Sequence, residues 1–384
     1  MLAQFDNSLT PYKVALQRSG AEALFLVNML TIDGRLATDA DNDRLIQDQV
    51  QFLQSAVTAG ISVKRVELGN EFYLPGNNPA GAFATDYSTR FPTAGDYARQ
   101  ASAWVSALRT AFPAVQIAAV GADATGNNMP RRETWNADVL AGLTGANALT
   151  LHPYIQVQDA TVTPQSLLSL PYARVQSLAA TEFPQLASYG LDAWVTEFNM
   201  VDKTPNLTFA GTWTHGLFVA AYALLLAQNP TVTLVDLHNA VGDAVAGVLF
   251  DSIDGFRAAT PVTELLGRSA MGATYAALLQ ATKSTSTAQP LTFPAGPVLE
   301  GGAPGIVGMD FSGGGQHQVV IVNLAETDVT LNVASLFSST FRWSRTTAAS
   351  LTTSVTGTSA VTVRKGRASR TLTVPSHSIV RLFR

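Results

Sequence analysis

The chain of 384 residues contains no cysteine, which excludes disulfides, thiolate nucleophiles and cysteine-ligated metals. Charge is also sparse: Asp, Glu, Lys and Arg make up 14%, the net charge is −4, and no block of basic residues stands out. A nucleic-acid partner, whose phosphates require a basic face, is not expected. Long apolar runs are missing too. The most apolar stretch, Phe218 to Ala227, is too short to cross a bilayer and reads as a buried helix, so no membrane partner is expected. The first residues, Met1 to Asp6, show no basic segment followed by an apolar one, so no signal peptide is expected. The compartment stays open, because the mature form of a secreted or periplasmic bacterial enzyme reads the same way.

Metal chemistry lacks its usual marks. The five histidines, His152, His215, His238, His317 and His377, have no ligand spacing, and neither an HExxH nor a calcium-loop pattern occurs. No metal and no cofactor are expected. The absence of a GxSxG elbow disfavours an esterase. Gly313-Gly314-Gly315 reads as a hairpin turn, since no helix follows it to cradle a phosphate.

What is present is core. Hydrophobic residues make up 47%, enough for a large domain or a barrel with a companion. From Leu24 to about Thr282, short apolar runs alternate with helical patterns, the mark of a parallel βα architecture. Ala23–Met29, Val63–Leu68, Val115–Val120, Ala148–Leu151, Trp194–Thr196 and Leu234–Leu237 read as strands. Asp41 to Ala59 reads as a helix, with Leu45, Ile46, Val50, Leu53 and Val57 on one face and Gly60 as its stop. Others are expected from Thr93, with Tyr97, Ala101, Trp104, Leu108 and Phe112 on one stripe, and near 132–141, 167–189, 208–228 and 263–281. Residues 1 to 22 read as a single helix.

Composition changes at Ser284-Thr285-Ser286-Thr287. Beyond it come short alternating strands with Gly and Ser/Thr turns, such as 318–323, 328–333, 341–344 and 371–374, the pattern of a small antiparallel β-sandwich. The expected domains are therefore a (β/α) barrel over 1–283 and a sandwich over 284–384.

Two strands end in glutamate: Glu67-Leu68-Gly69-Asn70-Glu71, and Ala193-Trp194-Val195-Thr196-Glu197-Phe198-Asn199. Two strand-end carboxylates facing one pocket suit glycosidic bond cleavage, one as proton donor and one as nucleophile. At these residues the chain resembles the clan A glycoside hydrolases, in particular the arabinofuranosidase, heparanase and β-glucuronidase group. Val66 to Glu71 is similar to their acid/base strand, Trp194 to Phe198 to their nucleophile strand, and Leu151-His152-Pro153-Tyr154 to the strand that presents a His or Tyr to the sugar. The resemblance implies a (β/α)8 TIM barrel, Glu71 as general acid/base, Glu197 as nucleophile and Asn70 as a donor to the sugar 2-hydroxyl. It also implies a retaining mechanism on a carbohydrate substrate. One departure is plain: about six barrel strands are countable, with only Ala23–Met29 ahead of the Glu71 strand. The barrel is thus expected to be incomplete at its N-terminus, with an open edge for which three outcomes stand: cover by another protomer in a homo-oligomer, repacking of the sandwich or of helix 1–22 over it, or a fragment with impaired activity.

His152, Tyr154, Trp213, His215, His238 and Asn239 complete the candidate substrate-binding set, each with packing as its competing explanation. Glu67 shares a strand face with Glu71 and is expected to be structural, paired with a buried Arg or Lys because an unpaired buried charge is costly. No Arg or Lys directly flanks either catalytic candidate, which slightly favours neutral sugars over uronates at the point of cleavage, while Arg131, Arg132 and Lys203 in adjoining loops are the candidates to bind a carboxylate. The competing function is a non-catalytic carbohydrate-binding or assembly protein on an incomplete barrel.

Overall fold

Apolar runs too short for helices, each followed by an amphipathic segment, become parallel strands buried on both faces. The computed structural model describes residues 2–30, 39–74, 87–123, 130–238, 241–242, 249–250, 267–355 and 360–384. In chain order the first strands are β1 (Leu24–Val27), β2 (Arg65–Leu68), β3 (Gln116–Val120), β4 (Ala148–Leu151), β5 (Ile155–Val157), β6 (Asp192–Val195), β7 (Met200–Asp202) and β8 (Val232–Val235). Six of these, β1 to β4, β6 and β8, carry the βα series among the described residues, a partial barrel-type parallel sheet. The chain divides into two compact units: Met1–His152 with Ala180–Val195, and Pro153–Ala179 with Thr196–Arg384.

In the first unit β1, β2, β3, β4 and β6 are successive parallel neighbours. Val27 pairs with Leu68, Leu68 with Ala119, Val120 with Thr150, and Leu151 with Val195. Their carboxyl-terminal ends therefore share one edge. Helix Ala94–Ala111 starts at a capping box: Thr93 accepts from the Asp96 amide at 3.1 Å, and Asp96 accepts from the Thr93 amide at 3.1 Å. The expected stripe of Tyr97, Ala101, Trp104 and Leu108 is buried. From that helix the Tyr97 hydroxyl donates to the Leu68 carbonyl at 2.9 Å and accepts from the Val120 amide at 2.7 Å, tying the ends of β2 and β3 together. Truncating it to Phe leaves two buried backbone groups unpaired, a cost of about 1–3 kcal/mol each.

The single helix expected over 167–189 is three: Pro164–Leu167, Leu170–Ala180 and Glu182–Ser188. Pro171 and Pro184 fall in first turns, where a missing amide costs nothing; inside one continuous helix they would break it.

In the second unit β5 and β7 pair in parallel. Helix Trp213–Ala227 is buried on every side, which is why its sequence shows no polar stripe. Helix Ala270–Thr282 crosses it at Gly216, where a Cβ would meet the Ala270 carbonyl oxygen at 2.6 Å. β9 (Val241–Gly242), β10 (Leu249–Phe250) and β11 (Gly267–Arg268) form a small sheet.

The sandwich then follows as expected: β12 (Thr287–Pro290), β13 (Ile306–Gly313), β14 (Gln316–Asn323), β15 (Val329–Asn332), β16 (Phe341–Ala348), β17 (Val361–Ala368), β18 (Thr371–Val374) and β19 (Ser378–Phe383). One antiparallel sheet has the order β12-β13-β14-β19-β16-β17, and β15 pairs with β18. Val319, Ile321, Val380, Leu382 and Phe341 face Val333, Phe337, Leu372 and Val374 in its core. Each such side chain contributes about 1.5–3 kcal/mol by burial. Gly313 to Gly315, all at positive φ, make the β13–β14 turn.

Candidate active site

β2 ends at Leu68 and the chain turns at Gly69, whose φ of 85° and closeness to Phe72 admit no side chain: a Cβ would lie 2.1 Å from the ring. Glu71 follows in the left-handed region, at φ 50°. That conformation costs a residue with a side chain about 1 kcal/mol or more and is held by its surroundings. The Glu71 Oε1 atom accepts from the Tyr73 hydroxyl at 2.9 Å and lies 3.1 Å from His152 Nδ1. His152 follows β4 directly and is buried, and its Nε2 lies 3.8 Å from Oε1 of the buried Glu67. One imidazole thus stands between two carboxylates. Sequence logic anticipated an Arg or Lys against Glu67; the facing cation-capable group is His152.

Arg132 extends the cluster, 3.5 Å from Asp123 and stacked over the Tyr73 ring at 4.9 Å. Arg131 donates instead to the carbonyls of Phe72, Phe91 and Pro92, bracing the turn. Burial pushes the Glu71 pKa up. The hydrogen bond and charge of His152, with Tyr73 and Arg132, outweigh it and hold the carboxyl below its ordinary range. The Asn70 Oδ1 atom is buried with no hydrogen-bond partner among the described residues.

The second unit holds the other glutamate differently. Glu197 Oε2 accepts from the Tyr154 hydroxyl at 2.6 Å, and the Tyr154 ring stands edge-on to His238 with centroids 6.0 Å apart. Behind Glu197, Asn199 is buried and bonded on both sides. Its Nδ2 donates to the His238 carbonyl at 2.6 Å, and its Oδ1 accepts from the Met200 amide at 2.7 Å. His215 Nε2 lies 2.9 Å from the same Oδ1, while the Gly211 amide donates to Nδ1 at 3.2 Å. That pair assigns the proton to Nε2. Burial pushes His215 down to about 4, against the opposing charge of Asp202, so the ring is a neutral strut. Tyr222 donates to the Pro153 carbonyl at 2.8 Å, fixing the backbone beside Tyr154.

Asn70, Glu71 and His152 therefore come together in the first unit, and Tyr154, Glu197 and His238 in the second. Trp213 and His215 sit apart from solvent. Trp213 is wholly buried, with its indole donating to the His377 carbonyl at 2.7 Å, and His215 is enclosed by its two partners. Asn239 lies outside the described residues. Glu67, Asn199 and Tyr222 act in these clusters without having been singled out for the site. Only Asn199 had a local signal, as a polar residue two places beyond a strand-end glutamate.

No protein-family model and no curated protein matches the chain. Solved structures do. A family 51 α-L-arabinofuranosidase from Bifidobacterium longum matches with a TM-score of 0.70 at 15% identity, over 97% of this chain and 78% of that one. An α-L-arabinofuranosidase from Thermotoga maritima, in its arabinose complex, matches at 0.62 and 16%, over 96% and 77%. A 4-O-α-L-rhamnosyl-β-D-glucuronidase from Fusarium oxysporum matches at 0.51 and 16%, over 88% and 74%. At these identities the likeness is one of fold. The chain shares with these structures the architecture of a TIM-type barrel sheet followed by a β-sandwich.

Proposed function

We propose that this protein is a retaining glycoside hydrolase with Glu71 as general acid/base and Glu197 as nucleophile. The observation that carries the reading is topological. β2 and β6 are parallel strands of one sheet, and Glu71 and Glu197 follow their carboxyl-terminal ends by three and two residues. Chain reach keeps each within about 11 Å and 7 Å of its strand end. In barrel enzymes this edge carries the chemistry.

In the first step a Glu197 oxygen bonds to the anomeric carbon as the glycosidic C–O bond breaks. Glu71 gives the leaving oxygen the proton it shares with His152. Water then attacks the glycosyl ester, Glu71 takes its proton, and Glu197 leaves as carboxylate. Tyr154 holds the attacking carboxylate, and the Asn70 side-chain amide donates from Nδ2 to the sugar 2-hydroxyl. Retention calls for carboxyl groups about 5–5.5 Å apart, against roughly 6.5–9.5 Å for inversion.

The test is hydrolysis of a panel of chromogenic glycosides by the purified chain, beside Glu197→Gln. α-L-Arabinofuranosides lead the panel because the family 51 neighbours act on them. Activity lost in the variant, with the first-formed sugar keeping its anomeric configuration by NMR, supports the reading. Sugar binding without hydrolysis of any glycoside shifts the function to a carbohydrate-binding protein.

A further inference from the structure

The sandwich carries charge of the opposite sign to the rest of the chain. Residues 284–384 hold eight Arg and Lys against four Asp and Glu, a balance of +4 in a chain of net charge −4, which leaves −8 on residues 1–283. Four of these cations, Arg364, Lys365, Arg367 and Arg370, lie within seven consecutive residues, a basic cluster that the sequence reading passed over, and the strand register adds Arg342 and Arg345 opposite them. Among the described residues β17 is an edge strand, paired with β16 alone. In that pairing Arg342 lies directly opposite Arg367, and Arg345 opposite Arg364. Alternation puts Arg342, Ser344, Lys365 and Arg367 on one face, with Arg381 of β19 beside Ser344. This is the outer face: the core residues Phe341, Leu382 and Val380 point the other way.

On that face, among the described residues, Arg342, Lys365 and Arg367 have no carboxylate partner, and all three are exposed. Like charges directly opposite one another are unfavourable in a sheet. Protecting an edge from aggregation needs only isolated lysines, not facing arginines. The uncompensated Arg342–Arg367 pair, with Lys365 beside it, calls for anions from outside the chain. Guanidinium groups match planar carboxylates in bidentate geometry, and cations two residues apart on one strand repeat at about 6.8 Å, in step with an extended polymer.

We propose that the outer face of β16 and β17 is a docking surface for acidic polysaccharide, a chain bearing uronic-acid carboxylates. The inference rests on the hydrolase reading for the class of polymer alone.

The test reads binding without turnover. The full chain is run through native gels containing polygalacturonate, neutral linear arabinan or no polymer, alongside a duplex DNA mobility assay. Expected are retardation by polygalacturonate alone, release at 0.5 M salt, and at least tenfold weaker binding in the triple variant Arg342→Gln, Lys365→Gln, Arg367→Gln. The double variant Arg342→Lys, Arg367→Lys keeps most of the binding, and cleavage of a small chromogenic glycoside is unchanged in both. Equal retardation by arabinan, none by polygalacturonate, or undiminished binding in a folded Gln variant overturns the proposal. DNA bound as tightly as polygalacturonate overturns it in favour of a nucleic-acid surface. The wild-type polymer and salt comparisons decide even if the Gln variant does not fold. Absence of glycoside turnover bears only on the hydrolase reading.

Discussion

Glu71 and Glu197 are the same residue type at the ends of parallel strands, yet their surroundings differ in kind. Each accepts from a tyrosine hydroxyl, but around Glu71 Tyr73 is joined by ionisable partners: His152, itself backed by the buried Glu67, and Arg132. Around Glu197 the nearest partner is a neutral hydroxyl, Tyr154, and the frame behind it rests on a neutral histidine, His215, and an amide, Asn199. A group that must give and take a proton gains from neighbours that can exchange one. A group that must bond to carbon gains from a fixed position and a donor that does not compete for its lone pair. In the proposed mechanism environment, not residue identity, separates the two roles.

The largest expected effects test that separation directly. Glu197→Ala should lower kcat by about 10⁴-fold or more on every glycoside, as removal of a nucleophile does. Glu71→Ala should depend on the leaving group: a loss of about 10²–10⁴-fold on a poor one, which needs protonation, and far less on an activated aryl glycoside. The check is kcat/KM for both variants across a leaving-group series. Parallel losses in the two variants would erase the distinction.

His152 sharpens it next. As pH rises through the Glu71 pKa, the proton-bearing form is lost, so a lowered pKa places the alkaline limb of kcat/KM at low pH. In His152→Ala burial acts without its main opponent, so that limb should move to higher pH while the peak rate falls about tenfold to hundredfold. An unmoved limb in the pH–rate profile would break the link between His152 and the Glu71 proton.

Tyr154→Phe comes third, removing one short bond to Glu197. Loss of a charged hydrogen bond of about 1.5–3 kcal/mol predicts a tenfold to hundredfold lower kcat/KM. Unlike Glu71→Ala, the loss should be uniform across the leaving-group series, measured on the same substrates.

How much of this was legible follows from how local each signal is. Strand-end glutamates, the His-Pro-Tyr strand and the capped stripe of helix 94–111 sit within a few residues of one another, and the resemblance they carry agrees with the fold. The Asn199–His215 bond spans 16 positions and exists only because helix Trp213–Ala227 is buried beside it. The aromatic ring of Trp213 reads the same in sequence whether it stacks on sugar or, as here, donates to a carbonyl in the sandwich. β17 escaped because an edge strand exposed along its length has no apolar alternation; Val-Thr-Val-Arg-Lys-Gly-Arg-Ala looks like loop until its partner is known.

A third carboxylate, Asp202, sets the baseline for the other two and gives the smallest expected effect. It ends β7 and accepts from the amides of Thr204, Phe209 and Ala210 at 3.0, 2.7 and 2.9 Å, and from the Thr204 hydroxyl. Burial pushes its pKa up, but the Thr204 hydroxyl and the three amides outweigh that and lower it. A lowered folded-state value stabilises the fold above the unfolded pKa of about 4, and that contribution is lost as pH falls through the folded value. Asp202→Asn should therefore cost about 1–3 kcal/mol at pH 7, with the gap in denaturation midpoint closing under acid, and should leave kcat/KM nearly unchanged. A large loss of activity at full stability would mean that the loop held by Asp202 shapes the Glu197 cluster, and that the line between a structural and a catalytic carboxylate runs elsewhere in this unit.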